Sequence, residues 1–219
     1  MIENKLMIKA ILFDLDNTLI DRQRAFKEML YRTFSKYYND DKYIEVLVND
    51  MLEFDKSGAV ERIEAFTKLI NKYQIKEFTA EELSLNWSKE SGNVVYLFDD
   101  VLDTLKMLKN KYKLAIVTNG NYASQKRKLD NVNLYGLLDY CLISDEIGIR
   151  KPDPRIFKYA CEKLNLKESE CLYVGDSYSR DIVGALNAGL DAIYVSRNNQ
   201  IHEDVKTIYQ IKELADILI

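Results

Sequence analysis

The sequence predicts an α/β fold, in which a Rossmann-like parallel sheet core is interrupted by an inserted α-helical domain. From residue 101 onward, short apolar runs alternate with helical segments, the pattern of parallel strands joined by helical crossovers. A further predicted strand, residues 11–14, stands alone near the start. Between them, residues 21–92 show only helical spacing. We therefore expect a core formed by residues 1–20 and 93–219, with residues 21–92 as the helical domain.

The helical domain is predicted to contain four amphipathic helices. Their apolar residues recur at three- and four-residue intervals, which places them on one face of each helix. The fourth helix begins with a capping box opened by Thr79. The four apolar stripes are Ala25, Met29, Leu30 and Phe34; Tyr43, Val46, Leu47, Met51 and Phe54; Val60, Ile63, Phe66, Leu69 and Ile70; and Leu83, Leu85 and Trp87. Four such helices in succession make a small bundle.

The remainder of the core is predicted to alternate helix and strand. Each strand segment is short, apolar and bounded by polar residues, as expected of a strand buried on both faces. The predicted helices are residues 101–112, 122–132, 155–164 and 179–188, and the predicted strands are residues 114–118, 140–144, 171–175 and 192–195.

Composition limits the function classes. The 219 residues are 47% hydrophobic and 30% charged, enough for a normal core. The net charge of −4 argues against a nucleic acid polymer as partner, because such binders are expected to be basic. No apolar run is long enough for a membrane span or a signal peptide, and the 3 cysteines suit a reduced protein. We expect a soluble cytoplasmic protein with no membrane partner, a monomer or weak homodimer.

Two carboxylates follow the first strand. Because strand side chains alternate between faces, Asp14 and Asp16 point the same way, about 6–7 Å apart. Like charges at that distance are unfavourable unless a cation or a shared proton compensates them. A strand followed by an Asp/Asn-rich turn is the structural alternative.

Polar residues also follow the later strands. Thr118 and Asn119 end one strand, Asp176 and Asp181 follow another, and Lys151 lies between them, just before the only 2 prolines. In an open parallel sheet, ligands bind beyond the carboxyl ends of the strands. Alone, each feature is explained by a turn, a solvated lysine or a helix cap. Together they indicate a phosphoryl-transfer site.

Clustered carboxylates without histidine or cysteine partners suit a hard cation such as Mg2+. A phosphoryl group would be held by Mg2+, Lys151, Thr118 and neighbouring backbone N–H groups. The expected partner is a small phosphorylated metabolite.

These motifs resemble those of the haloacid dehalogenase (HAD) superfamily of phosphohydrolases. The order and spacing match across essentially the whole core, and the helical insertion lies where that family places its cap. The matching pieces are Asp14-x-Asp16-x-Thr18, Thr118 in Val-Thr-Asn-Gly, Lys151 in Arg-Lys-Pro-Asp-Pro, and Gly175-Asp176-Ser177 with Asp181.

The resemblance implies a Mg2+-dependent phosphatase of small phosphate monoesters that acts through an aspartyl-phosphate. Asp14 would be the nucleophile, and Asp16 would protonate the leaving oxygen and then deprotonate the attacking water. Thr118 and Asn119 would contact the phosphoryl oxygens, while Lys151 would neutralise charge on Asp14 and the phosphoryl group.

The resemblance also implies a metal site. Asp14, the backbone carbonyl of Asp16 and Asp176 would bind Mg2+, and Asp181 would support these ligands without binding the ion. Asp16 separates two branches of the superfamily, because an alkoxide leaving group needs a proton and a leaving halide does not. Its presence favours a phosphatase over a dehalogenase.

Relatives with a helical cap and the Thr-Asn-Gly variant act on nucleoside monophosphates, sugar phosphates and acylneuraminate phosphates. From this resemblance we expect a nucleoside monophosphate or a sugar phosphate as substrate, with the nucleotide as the first expectation. Two alternatives stay open: a receiver-like signalling module phosphorylated on Asp14, and a phosphomutase of the same superfamily.

The basic run Lys126-Arg127-Lys128 offers a possible anion site. We expect it instead to form the solvated face of its helix, with Leu129 turned inward.

Overall fold

The computed structural model describes residues 8–58, 60–197 and 199–219. The chain divides into two compact units, one formed by Met1–Asp21 with Leu97–Ile219 and the other by Arg22–Tyr96. The second segment of the larger unit begins at Leu97, four residues after the predicted boundary at residue 93. No helix in the described ranges combines the length and apolar character needed to cross a bilayer.

The larger unit is built on a parallel sheet, which confirms the predicted α/β fold. The strands that the described residues form are β1 (Ala10–Phe13), β2 (Lys113–Thr118), β3 (Tyr140–Ile143), β4 (Cys171–Gly175), β5 (Asp191–Val195) and β6 (Lys206–Ile208). All neighbouring pairs are parallel, in the order β3-β2-β1-β4-β5-β6. Strand β6 was not predicted, because a strand of 3 residues is too short to show a two-residue period.

Helices connect the strands and also form the smaller unit. They are α1 (Arg22–Phe34), α2 (Asp41–Asp55), α3 (Arg62–Tyr73), α4 (Ala80–Glu90), α5 (Val101–Lys109), α6 (Tyr122–Val132), α7 (Ser144–Ile147), α8 (Pro154–Lys163), α9 (Val183–Ala188) and α10 (Glu213–Leu218). The short helices α7 and α10 were not predicted. The helix predicted over residues 179–188 begins as a π-helical turn, Tyr178–Ile182, before α9.

The central strand β1 is completely buried. On one face of the sheet, apolar residues from β1, β2 and β4 pack against α8 and α9. Phe157 of α8 meets Tyr173 of β4 edge to face, with ring centroids 4.9 Å apart. This packing holds the strands in a fixed register, because aromatic pairs of this geometry add to the burial of their surface.

The register of β1 determines which strand ends meet. Phe13, its last residue, lies opposite Ile116 of β2 and Val174 of β4. The residues that follow these positions therefore leave the sheet at the same edge.

The unit Arg22–Tyr96 contains α1 to α4 around an apolar core of its own. The predicted capping box is confirmed, since Thr79 and Glu82 each accept a hydrogen bond from the other's backbone N–H. Three stripe residues are exposed: Val46, Ile63 and Leu85. Successive helical residues are about 100° apart, so Val46, adjacent to buried Leu47, lies off the buried face.

A buried charge cluster lies in the same helical unit. Arg22 and Arg62 both bind the carboxylate of Asp55, and Arg22 Nη1 lies 2.9 Å from Asp55 Oδ2. Arg62 also stacks over Phe26 and Trp87, at 4.2 and 4.3 Å from the ring centroids. The aromatic core thus encloses paired charge as well as apolar surface.

Candidate active site

Asp14, Thr118 and Asp176 lie where β1, β2 and β4 end. Asp14 directly follows β1, Thr118 is the last residue of β2, and Asp176 directly follows β4. The Asp14 backbone N–H continues the strand pairing by donating to the Val174 carbonyl at 2.9 Å. The parallel register therefore brings these three predicted residues to one edge of the sheet.

Asp14 and Lys151 form a buried ion pair. Only 7% of Asp14 and 5% of Lys151 are exposed. Lys151 Nζ donates to Asp14 Oδ1 at 2.6 Å and lies 2.7 Å from Asp181 Oδ1. Burial alone would lower the pKa of Lys151, but the two carboxylates outweigh it and raise that pKa above its ordinary value. Lys151 is therefore held as a cation.

Tyr173 supplies a third contact to Lys151. Its hydroxyl accepts a hydrogen bond from Lys151 Nζ at 2.8 Å and donates one to the Val117 carbonyl at 2.8 Å. Burial first, then the carboxylates of Asp181 and Asp14, raise the pKa of Tyr173 well above its ordinary value, so the hydroxyl keeps its proton.

Tyr173 was not among the predicted site residues. The available signal was a tyrosine in the middle of a strand predicted to be buried on both faces. A buried tyrosine hydroxyl normally requires a hydrogen-bond partner, and the strand itself offers none for a side chain.

Three carboxylates crowd the same edge. One oxygen from each of Asp14, Asp176 and Asp181 lies within 4.8 Å of the other two. Burial raises the pKa of Asp14 to about 6, although Lys151 acts to lower it. Burial, followed by the charges of Asp14 and Asp181, raises the pKa of Asp176 well above its ordinary value. Such a cluster favours uptake of protons or of a cation.

The backbone around β4 is shaped to hold Asp181 and Asp176. Asp181 Oδ2 accepts a hydrogen bond from the Ser177 N–H at 3.0 Å, while its other oxygen faces Lys151. A Cβ added to Gly175 would lie 2.6 Å from the Asp181 side chain, so only glycine leaves space there. Thr18 Oγ1 donates to Asp176 Oδ1 at 3.3 Å.

Asp16 is bound by side chains of α6. Lys128 Nζ lies 2.7 and 2.8 Å from the two carboxylate oxygens of Asp16. Gln125 Nε2 donates to Asp16 Oδ2 at 3.0 Å and to Thr118 Oγ1 at 2.7 Å. The expectation that the basic run is wholly solvated was therefore wrong for Lys128, which is buried, while Leu129 is turned inward as predicted.

A signal for Lys128 was present in the spacing of α6. Gln125, Lys128 and Leu129 are separated by three and four positions, so they share one helix face. Because Leu129 was assigned to the buried side, its two polar neighbours on that face also point toward the sheet. Because Lys128 directly follows Lys126 and Arg127, the three residues were interpreted together as one solvated basic run.

The Asn119 side chain braces the loop that carries Lys151. Its Nδ2 donates to the Lys151 carbonyl at 2.9 Å, and its Oδ1 accepts from the Lys151 N–H at 2.9 Å. The Asn119 amide therefore orients the backbone of the loop that contains Lys151.

Comparisons with known proteins identify the family of this chain. A family model described as haloacid dehalogenase-like hydrolase matches residues 8–189. Human N-acylneuraminate-9-phosphatase is 28% identical over 207 residues, which cover 87% of this chain and 84% of that protein. Glyceraldehyde 3-phosphate phosphatase from Pyrococcus furiosus is 30% identical over 227 residues, covering 97% of this chain and 89% of that protein.

The fold is also shared with a solved structure. The HAD hydrolase YfnB from Bacillus subtilis, crystallised with magnesium, superposes with a TM-score of 0.80 at 23% identity. The match covers 96% of this chain and 98% of that one. With a family match over most of its length, the chain belongs to the haloacid dehalogenase-like hydrolases.

Proposed function

We propose that this chain is a Mg2+-dependent phosphatase that hydrolyses small phosphate monoesters through an aspartyl-phosphate formed on Asp14. The observation that carries the proposal is the buried Asp14 carboxylate at the end of β1, held 2.6 Å from the Lys151 ammonium. A carboxylate that attacks a phosphate monoester needs nearby positive charge, because both reactants are anions. The named relatives are phosphatases, which supports the reaction class.

The carboxylate cluster fits a magnesium ion. Asp14, Asp176 and Asp181 offer only oxygen ligands. Burial first, and then the neighbouring carboxylates, raise the pKa of Asp14 and of Asp176, which is the setting in which a bound cation is favourable. We assign Asp14, Asp176 and the backbone carbonyl of Asp16 as ligands. Asp181, whose oxygens face Lys151 and the Ser177 N–H, would support them. Bound Mg2+ would supply positive charge toward the phosphoryl oxygens.

The chain's own residues then perform two displacements. A carboxylate oxygen of Asp14 attacks phosphorus, the ester P–O bond breaks, and the leaving oxygen takes a proton from the Asp16 carboxyl group. Asp16, now a carboxylate, takes a proton from water as the water oxygen attacks phosphorus. The bond between Asp14 and phosphorus breaks, which releases phosphate and restores both carboxyl groups.

The phosphoryl group would be held by Lys151, the Thr118 hydroxyl and the backbone N–H of Asn119. We assign the N–H of Asn119 because its side-chain amide is bonded to the backbone of Lys151. Asp16 also favours a phosphatase within this family, since a halide leaving group would need no acid.

For the substrate, we favour a phosphorylated sugar over a nucleoside monophosphate. The relatives named above carry N-acylneuraminate 9-phosphate and glyceraldehyde 3-phosphate in their names. We assign the cap of the family to the unit Arg22–Tyr96, because it is inserted in the chain directly after the Asp14–Thr18 motif.

The test is phosphate release by purified protein with Mg2+ from p-nitrophenyl phosphate, nucleoside monophosphates and sugar phosphates. Asp14→Asn should abolish release. Asp16→Asn should slow it and accumulate a phospho-enzyme, seen as added mass on the intact protein. Asp130→Asn, on the exposed side of α6, is the matched control and should keep wild-type activity.

Several outcomes of these assays would contradict the proposed reaction. Absence of release from the whole panel, or equal residual activity in Asp14→Asn and Asp16→Asn, would contradict the proposal. A phosphorylated isomer as product would indicate a phosphomutase, and a long-lived adduct in the unmutated chain would indicate a receiver-like module. Membership in a hydrolase family weighs against the latter.

A further inference from the structure

Asp16 is held by a lysine separate from the one that serves Asp14. Lys151 contacts Asp14 and Asp181, whereas Lys128 Nζ lies within 2.8 Å of both oxygens of Asp16. The two carboxylates that the proposed reaction uses therefore have different cationic partners. A lysine that bridges both oxygens restricts rotation of the carboxyl group about its own bond.

Gln125 adds a second constraint on Asp16. It lies three residues before Lys128 on α6, hence on the same helix face. Its Nε2 bridges Asp16 Oδ2 at 3.0 Å and Thr118 Oγ1 at 2.7 Å. The Gln125 amide thus contacts both Asp16, the predicted acid, and Thr118, whose hydroxyl is predicted to bind the phosphoryl group.

The residues around Asp16 compensate the buried charge of Lys128 and leave space for the Gln125 side chain. The Lys128 side chain is only 10% exposed, and burying an ammonium group is costly unless a carboxylate and hydrogen bonds compensate it. Gly120 has a φ of +153°, and a Cβ there would lie 2.8 Å from Gln125 Cγ. Glycine at position 120 therefore leaves the space in which Gln125 reaches Asp16.

We infer that Lys128 and Gln125 are positioning residues that orient the Asp16 carboxyl group toward the leaving oxygen of the substrate. The inference rests on the proposed function, in which Asp16 protonates that oxygen. A general acid must lie within hydrogen-bond reach of the atom it protonates, and a displacement of about 1 Å at a reacting group can cost about 100-fold in rate. Lys128 and Gln125 supply that precision from a helix that follows a different strand.

Leaving-group dependence tests this role. Phenyl phosphate needs a proton on its departing oxygen, whereas p-nitrophenyl phosphate releases a stabilised anion and is nearly the same size. In Lys128→Met, kcat/KM should fall about 100-fold for phenyl phosphate and less than about 5-fold for p-nitrophenyl phosphate. Asp16→Asn should show the same selectivity, and Lys128→Arg should restore most of the loss.

Lys126→Met is the matched control. Lys126 lies on the same helix, is exposed and pairs with Asp130 at 3.2 Å, so its removal should leave both substrates unaffected. If Lys128→Met fails to fold, Gln125→Leu carries the test, with a loss of about 10-fold confined to phenyl phosphate. Thermal unfolding of each variant establishes that it is folded.

Equal losses on both aryl phosphates would overturn the inference, because they would place Lys128 on the phosphoryl group or in the fold alone. Unchanged kinetics in Lys128→Met or, where that variant is unfolded, in Gln125→Leu would overturn it as well. These outcomes are distinct from failure of the proposed function, in which the unmutated protein with Mg2+ releases no phosphate from either compound.

Discussion

Lys151 donates a 2.6 Å hydrogen bond to Asp14, and both side chains are almost completely buried. The same ammonium lies 2.7 Å from Asp181, so a single cation serves two carboxylates that also face Asp176. This relationship links stability and chemistry, because the group that lowers the repulsion among the carboxylates also lies at the edge of the sheet where we propose that the phosphoryl group binds.

Replacement of this lysine is the first prediction. Lys151→Met keeps most of the side-chain volume but removes the charge, so turnover should fall by more than about 100-fold, the typical effect of losing one electrostatic contact in a transition state. The melting temperature of the metal-free protein should also fall, because two buried carboxylates lose their partner. Phosphate release and thermal unfolding of the same sample measure both effects.

Lys126→Met is again the appropriate control, since Lys126 is exposed and pairs with Asp130 on the surface of α6. If Lys151→Met kept the wild-type kcat, Lys151 would have no role in the reaction.

Competition between protons and Mg2+ gives the second prediction. Burial raises the pKa of Asp14 to about 6 and that of Asp176 well above its ordinary value, so both must release protons to bind a cation. The stabilisation by MgCl2 should therefore be large near pH 7.5 and much smaller near pH 5. Melting temperatures with MgCl2 and with a chelator, at both pH values, measure it.

Two variants separate this effect from general salt stabilisation. Asp176→Asn should lose the Mg2+ response at both pH values. Asp130→Asn, on the exposed side of α6, should retain it. A Mg2+ response that is independent of pH would contradict the assignment of these carboxylates as ligands.

The third prediction concerns the metal-free protein and Asp14 itself. Its pKa rises from an ordinary 3.8 to about 6 on folding, so the folded state binds more protons between those pH values. The contribution of Asp14 to stability is therefore present below about pH 4 and is lost as pH rises through 6. Asp14→Asn cannot ionise, so its melting temperature should exceed that of the wild type by about 3 °C near pH 7.5.

Near pH 4.5 the two proteins should melt at similar temperatures, since Asp14 is then mostly protonated. Measurements in chelator across this range check the sign. A wild type that is more stable than Asp14→Asn near pH 7.5 without metal would show that Lys151 outweighs burial.

The strand ends could be predicted from the sequence, because parallel strands must bring their carboxyl ends to one edge of the sheet. Asp14, Thr118 and Asp176 needed only the strand pattern and that rule. Lys128 could not be recognised in the same way. Its charged neighbours resemble a solvated helix face. Lys128 and Asp16 are more than a hundred positions apart in the sequence, and only the folded sheet brings them into contact. Tyr173 was missed because apolar periodicity does not report where a buried hydroxyl points.

The last prediction tests that hydroxyl. Tyr173→Phe keeps the ring that packs edge to face on Phe157, but removes the oxygen that bridges Lys151 Nζ and the Val117 carbonyl. The buried carbonyl loses this donor, so the free energy of unfolding should fall by about 1–3 kcal/mol. Because Lys151 keeps both carboxylate partners, its charge remains but its position is less restricted, and kcat should fall about 10-fold with little change in KM. Tyr112→Phe is the control, because it removes a tyrosine hydroxyl that donates to the Leu218 carbonyl and lies directly before β2 begins; it should retain wild-type kcat. A Tyr173→Phe variant with unchanged stability and unchanged kcat would show that the two carboxylates alone determine where the lysine lies.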